Sequence, residues 1–393
     1  MGKTVAREGT GLGFSVTEAR MPVQFIGFVH YQETSESLEP RGPAVQPDFV
    51  RDFARAQEDA GFDRVLIGYA SNVGDGFVVA QHAAAHTTRL GVLIAHRPGF
   101  VAPTVAARKF ATLDQFTNGR VSVNIISGSH DAEQRRDGDY LSHDERYERT
   151  AEFVDVLKAA WTSEGPFDHD GKHYRFNDNF SPVKPVQKPH IPIYFSGSSD
   201  SAIAVGARVA DVYMLWAESL TGTRDQILRI KAAAAKYGRA EQIGFSLSVR
   251  PILADTEKAA WDRAESILAR AKALAGASPA PLSSLSRLKQ GAPSNVGTIR
   301  LLRTAAEGPV VDKRLWTEMV SLPNASGNTT ALVGTPDQVA ESLLDYYDLG
   351  VTRFLLRGFD PFSDAVDYGR ALIPIVKLEV AGRDADTAVT AAE

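Results

Sequence analysis

The chain has 393 residues, 44% of them hydrophobic and 23% charged, so it can bury a large core and is not a disordered polymer. Its net charge of −5 gives no electrostatic case for nucleic acid or an anionic membrane, and no run approaches the roughly eighteen apolar residues that span a bilayer. Cysteine is absent, which excludes disulfides, thiolate metal sites and a cysteine nucleophile; residues 1–8 lack an apolar signal core, and the expected location is the cytoplasm.

From Gln24 onward short apolar runs alternate with longer amphipathic ones. Strands are predicted over 24–30, 64–69, 89–96, 120–127, 191–196, 211–216, 243–253 and 351–357. Helices are predicted over 48–60, 76–87, 104–117, 144–161, 201–210, 223–237, 256–274 and 336–349, with a last one over 363–378. Gly61, Gly119, Gly238 and Gly350 each fall just past a helix end, and Pro103, Pro336 and Pro361 sit near helix starts. Strand followed by helix, repeated eight times, reads as an α/β fold, a (β/α)8 TIM barrel with insertions.

Residues 21–380 are expected to form that single domain, between an N-terminal extension (1–20) and a C-terminal tail (381–393). Two stretches depart from the repeat. Residues 165–190, rich in proline, read as an ordered excursion. Residues 275–328, rich in Ser, Gly, Ala and Pro, read as part helix and part mobile lid before the last β/α unit.

Ligands of such barrels bind where the strands end. The predicted strand ends carry His30, then Tyr69, then His96 and Arg97, then Asn124, Ser127 and Gly128. They continue with Gly197, Ser198 and Ser199, with Trp216 and Glu218, with Arg250, and with Arg357. An amide and hydroxyls at the end of an apolar strand suit a buried, oriented ligand. The helix opening at His143, with Tyr147 one turn on, offers N–H groups to an anion, and Gly197-Ser198-Ser199 is a small turn able to cradle phosphate oxygens. An ordinary helix N-cap accounts for the same serines. Arg250, inside an apolar strand, requires a carboxylate, with Glu218 one option, or an anionic ligand. Trp216 either caps the barrel core or faces substrate. His82 and His86 are spaced i, i+4 but have no third ligand in view, so no catalytic metal is expected. No G-x-S-x-G elbow is present, and the nearest G-x-G, at Gly11 and Gly13, precedes any strand.

At these residues the chain resembles the bacterial luciferase-like flavin monooxygenases, and most of all their alkanesulfonate monooxygenase branch. The stretches that carry the likeness are 103–114, Asn118 to Arg120, Asn124 with Ser127 and Gly128, His143 to Tyr147, 194–200 and 331–334. The resemblance implies reduced FMN (FMNH2) delivered by a separate NAD(P)H-dependent flavin reductase, with O2 as oxidant and a small organosulfur substrate, an alkanesulfonate cleaved to aldehyde and sulfite. It implies a homodimer or homotetramer. It places His96, Asn124, Ser127, Gly128, His143, Tyr147, Gly197, Ser198 and Ser199 around the flavin. Asn124, Arg250 and Trp216 would then be catalytic, and His30, Arg97, Trp216, Glu218, Arg250 and Arg357 would face the substrate. The Arg-x-His pair of the branch reads Ser248-Val249-Arg250 here, Phe359 stands for a tyrosine, and Val73 for a cysteine. Those departures open a neutral sulfone as the substrate; a deazaflavin-dependent dehydrogenase and an idle flavin-binding barrel are the other readings.

Overall fold

The computed structural model describes residues 22–128, 131–277, 295–322, 325 and 327–392. The expected N-terminal extension, and residues 278–294 of the expected lid, lie outside them.

Eight parallel strands close into a barrel: β1 (Gln24–Val29), β2 (Arg64–Ile67), β3 (Gly91–His96), β4 (Val121–Ile125), β7 (Ile193–Ser196), β8 (Val212–Trp216), β9 (Gly244–Leu253) and β13 (Val351–Leu356). Pairing of β8 with β9, and of β13 with both β9 and β1, completes the ring. Each strand lies within two residues of its predicted ends. Between β4 and β7, strands β5 (Phe167–Asp170) and β6 (Arg175–Asn179) form an antiparallel hairpin in the excursion.

The helices are α1 (Pro47–Asp59), α2 (Gly76–Ala85), α3 (Pro103–Phe116), a short α4 (Asp131–Gln134), α5 (His143–Thr162), α6 (Asp200–Val209) and α7 (Leu220–Ala235). They continue with α8 (Glu257–Ala277), α9 (Val296–Glu307), α10 (Pro336–Asp348), α11 (Pro361–Asp367) and α12 (Ile373–Ala392), the last reaching beyond Leu378 to the end of the described chain. Among the described residues no helix is long and apolar enough to cross a membrane.

Alternation along the strands makes two cores. Outward-facing residues such as Val65, Ile94, Val123, Phe195, Leu247 and Phe354 pack under the helices. Inward-facing Ile26, Leu93, Tyr194, Val212 and Leu355 fill the barrel with Leu66 and Met214. Both faces being buried explains the near-continuous apolar runs that made the strands readable.

Helix starts follow their sequence signals. Pro47, Pro103, Pro336 and Pro361 occupy first turns, and capping boxes at Ser142/Glu145 and Thr335/Gln338 open α5 and α10.

Five strands lie outside the predicted set, the β5–β6 hairpin and three more beside the end of β9. β9 pairs with β8 and β13 through Val249, then continues over Arg250–Leu253 beside β12 (Ala331–Gly334); β12 pairs in turn with the two-residue strand β11 (Leu315–Trp316), and β11 with the two-residue strand β10 (Val310–Val311). The described part of the expected lid is therefore α9, this β10–β11 ribbon and a turn at Glu318–Ser321, stacked beside the barrel mouth.

Candidate active site

A cavity of about 630 Å³ opens at the C-terminal ends of β2, β3, β4, β7 and β8, in the size range of small-molecule sites. Of the residues singled out from sequence, it brings together Arg97, Ser127, Gly128, His143, Tyr147, Gly197, Ser198, Ser199 and Trp216. His30, His96, Asn124, Glu218, Arg250 and Arg357 are not among its lining residues.

The turn after β7 is shaped by close approach. Gly197 has φ +151°, and a Cβ there would fall 2.5 Å from Cβ of Ala202 and 3.0 Å from the Tyr147 hydroxyl, so only glycine leaves the cradle open. The Tyr213 hydroxyl donates to the Gly197 carbonyl at 2.7 Å. Ser199 is the N-cap of α6, accepting from the Ala202 N–H at 3.2 Å, while the Ser198 hydroxyl donates to Gln226 Oε1 at 3.4 Å. Tyr147 and His143 close the side, their rings edge to face at 4.9 Å. Burial raises the Tyr147 pKa, a hydrogen bond with Ser199 opposing it, so the hydroxyl stays protonated and able to donate. The sequence reading of α5 as an anion-ready helix start needs correction. Ser142 accepts from the Glu145 N–H while the Glu145 carboxylate accepts from the Ser142 N–H, so the first turn is already capped and the side chain of His143, not the helix end, faces the cavity.

On β4, Asn124 points inward and is 6% exposed, with its Oδ1 buried and lacking a hydrogen-bond partner. Ser127 pairs with Thr150 at 2.9 Å. Gly128, at φ +81°, leaves room for the Gln134 amide, which a Cβ would meet at 2.0 Å. On β3 the alternation separates two neighbours. Arg97 faces the mouth, 4.5 Å over the Tyr69 ring and paired with Glu133 at 2.9 Å and Asp137 at 3.8 Å.

His96 faces the other way, which corrects its placement beside the cofactor. It packs against Phe110 at 5.4 Å and Phe153 at 5.3 Å in the layer between barrel and helices. Burial there, with Lys109 adding to it and Asp75 opposing, lowers its pKa from 6.5 to about 4. The unfolded chain therefore takes up a proton near pH 6.5 that the folded chain refuses, and stability falls as pH drops from 6.5 towards 4. His96→Gln is expected to remove roughly 1.4 kcal/mol per pH unit of that slope. Urea titrations at pH 6.5 and 5 check this; an unchanged slope would contradict the assignment.

The rest of the rim is organised by ion pairs. Arg250 is fully buried and its carboxylate is Glu36, not Glu218, with Nη1 and Oε2 2.5 Å apart. Its Nη2 donates to the Gly358 carbonyl at 2.8 Å and its Nε to the Arg357 carbonyl at 3.3 Å. Arg357 shares Glu36 at 3.3 Å. His30 ends β1 against Phe28, with ring centroids 4.4 Å apart, and its pKa is lowered to about 3 by burial and then by Arg357. Glu218 instead holds Arg300 of α9 at 3.0 and 2.7 Å and accepts from Gln226, tying that helix towards Ser198. Burial raises the Glu218 pKa against the pull of Arg300. Trp216 faces the cavity under the first turn of α9, where a Cβ on Gly297 would come within 3.1 Å of its ring. His82 and His86 lie on α2 away from the mouth, each bonded to a backbone carbonyl; among the described residues no group of three His, Cys, Asp or Glu side chains could hold a metal.

Sequence reasoning missed Glu36, Glu133, Gln226 and Arg300. The partners of Glu36 and Arg300 lie 214 and 82 residues away, so no local pattern announces either.

The family model described as "Luciferase-like monooxygenase" matches residues 23–353. Among solved structures the chain is similar to riboflavin lyase (RcaE), determined with modified FMN and substrate riboflavin: 21% identity, 91% of this chain and 92% of that one covered, TM-score 0.74. A long-chain alkane monooxygenase (LadA) matches at 17% identity over 92% of both chains, TM-score 0.70. EDTA monooxygenase (EmoA) from Chelativorans sp. BNC1 matches at 18% identity over 91% of this chain and 94% of its own, TM-score 0.69. These likenesses are of fold.

Proposed function

The chain belongs to the luciferase-like monooxygenase family, and we propose that it is a two-component enzyme that receives FMNH2 from a separate NAD(P)H-dependent reductase and uses O2 to oxidise a small organosulfur compound. The observation that carries this reading is the cavity itself, which sets a hydroxyl-rich cradle at Gly197–Ser199, Tyr147 and His143 across from Ile126, Met214 and Trp216.

The residues fit the cofactor. Ser198, Ser199, Tyr147 and His143 would hold its phosphate, in a turn that a side chain at position 197 would fill. Ser127 and Gly128 would flank the ring system. Asn124, with its unpartnered buried Oδ1 on the inward face of β4, is assigned to the oxygen-reacting side. Reduced flavin supplies the electrons and the reactivity towards O2. The protein orients it and keeps water out, with α9 resting on Trp216 as part of the cover. A homodimer or homotetramer is the proposed assembly, and the cytoplasm its place.

Charge supports the uncharged one of the two sulfur substrates. Each arginine described at the mouth is already paired: Arg97 with Glu133, Arg250 and Arg357 with Glu36, and Arg300 with Glu218. An alkanesulfonate would have to break one of these pairs, whereas an uncharged sulfone would not. The sulfone is therefore the better substrate in our reading, cleaved at a C–S bond to an aldehyde and a sulfinate. With reductase, NADH and FMN supplied in air, aldehyde release from a dialkyl sulfone is expected to exceed that from an alkanesulfonate by about tenfold or more, the penalty for losing ~1.4 kcal/mol of ion pairing. A preference for the sulfonate would reverse the choice of substrate, and no oxygen-dependent product from either would remove the reading.

A further inference from the structure

The cavity takes in five strand ends; those of β9, β13 and β1 complete the rim. There Arg250, Arg357 and His30 continue the inward-facing sets, while their neighbours Val249, Leu356 and Val29 belong to the outer core. Two guanidinium groups and an imidazole on adjacent strands at the mouth of a barrel make a seat for an oxyanion. In this chain the seat is taken. Glu36, carried in by the loop between β1 and α1, places one carboxylate oxygen on Arg250 at 2.5 Å and the other on Arg357 at 3.3 Å. Its side chain is 2% exposed. The loop is anchored where it must be: Ser35 and Ser37 both donate to the Phe359 carbonyl, at 2.5 and 3.4 Å, directly beside the Phe359 ring over which the Arg250 guanidinium lies at 3.6 Å.

We propose that Glu36 is a specificity-determining residue: a built-in carboxylate that occupies the two-arginine seat, shuts out free anionic substrates, and leaves the neighbouring cavity to an uncharged one. The inference rests on the proposed function only for the word substrate. The seat and its occupant belong to this chain's own residues.

The test is therefore first made without flavin. Glu36→Ala is melted in sodium methanesulfonate and in sodium chloride at equal ionic strength, beside wild type and Glu36→Gln. The Ala variant is expected to melt several degrees below wild type and to regain most of that loss in methanesulfonate but not in chloride. Wild type and the Gln variant, whose seats are filled, should not distinguish the two salts. Equal behaviour of the Ala variant in both salts, or an equally large response of wild type, overturns the proposal. If the Ala variant is recovered only as aggregate, its refolding yield in the two salts is the readout: a higher yield in methanesulfonate supports the seat and equal yields overturn it. Turnover with reductase separates this inference from the function. Rescue by methanesulfonate with no oxygen-dependent product from wild type on any sulfur compound defeats the enzyme reading and spares the seat. Sulfone oxidation by wild type with no rescue of the Ala variant does the reverse.

Discussion

Arg250→Met is expected to lower the free energy of unfolding by about 3–5 kcal/mol, the usual loss when one member of a buried ion pair is removed. The Met side chain leaves Glu36 buried without its shorter ion pair, strips the Gly358 and Arg357 carbonyls of a donor, and ends the stacking on Phe359. The loss depends on pH in a defined direction. Burial alone would raise the Glu36 pKa, but Arg250 and then Arg357 outweigh it and hold the pKa at about 2. The pair therefore contributes in full above the ordinary glutamate value near 4.5 and is lost as pH falls from there towards 2. The difference between wild type and variant should be full at pH 7 and smaller at pH 3. Adding Glu36→Gln to Arg250→Met should recover part of the loss, because the stranded charge goes with it. Guanidinium unfolding of the three proteins measures this. An Arg250→Met protein as stable as wild type, with only a raised KM, would instead place Arg250 in substrate binding.

The second large effect concerns the cofactor. Replacing Ser198 and Ser199 together by Ala is expected to weaken FMNH2 binding by about 1–3 kcal/mol, roughly 5- to 150-fold in Kd, since hydrogen bonds to a charged group are worth that much. Ser199 also caps α6, so part of the change in the double variant is a lost cap worth ~1 kcal/mol of stability. Ser198→Ala alone separates the two, because Ser199 is the cap of α6 and the Ser198 hydroxyl bonds to Gln226 across the turn. Anaerobic titration gives both constants, and an unchanged Kd in the double variant would dismiss the phosphate assignment.

The barrel was legible because its signals are local. Strands buried on both faces are written as runs such as Val92 to Ala95, and several helix boundaries carry a proline, a capping serine or a glycine at positive φ. β12 was not separated as a strand because its partner is the part of β9 that has already left the barrel. The turn at Gly197 was legible for the same local reason: small residues between strand and helix. His96 was misplaced because the end of a strand was read without its alternation. Leu93 and Ala95 point inward, so Arg97 does too and His96 cannot. The ion pairs were beyond reach. That Arg250 needed a carboxylate followed from its burial, but which one depends on where a loop 214 residues away crosses the mouth. Glu218, the nearer choice in sequence, is claimed by Arg300, a residue on a helical face that gives no sign of its partner.

The most direct test of the whole account is anaerobic calorimetry of the wild-type protein with FMNH2, beside the same titration with oxidised FMN. The account predicts saturable binding of the reduced form at one site per chain, tighter than that of the oxidised form and weakened by Ser198→Ala. Absence of binding by FMNH2 would contradict it, and with it every role assigned at the mouth of the barrel.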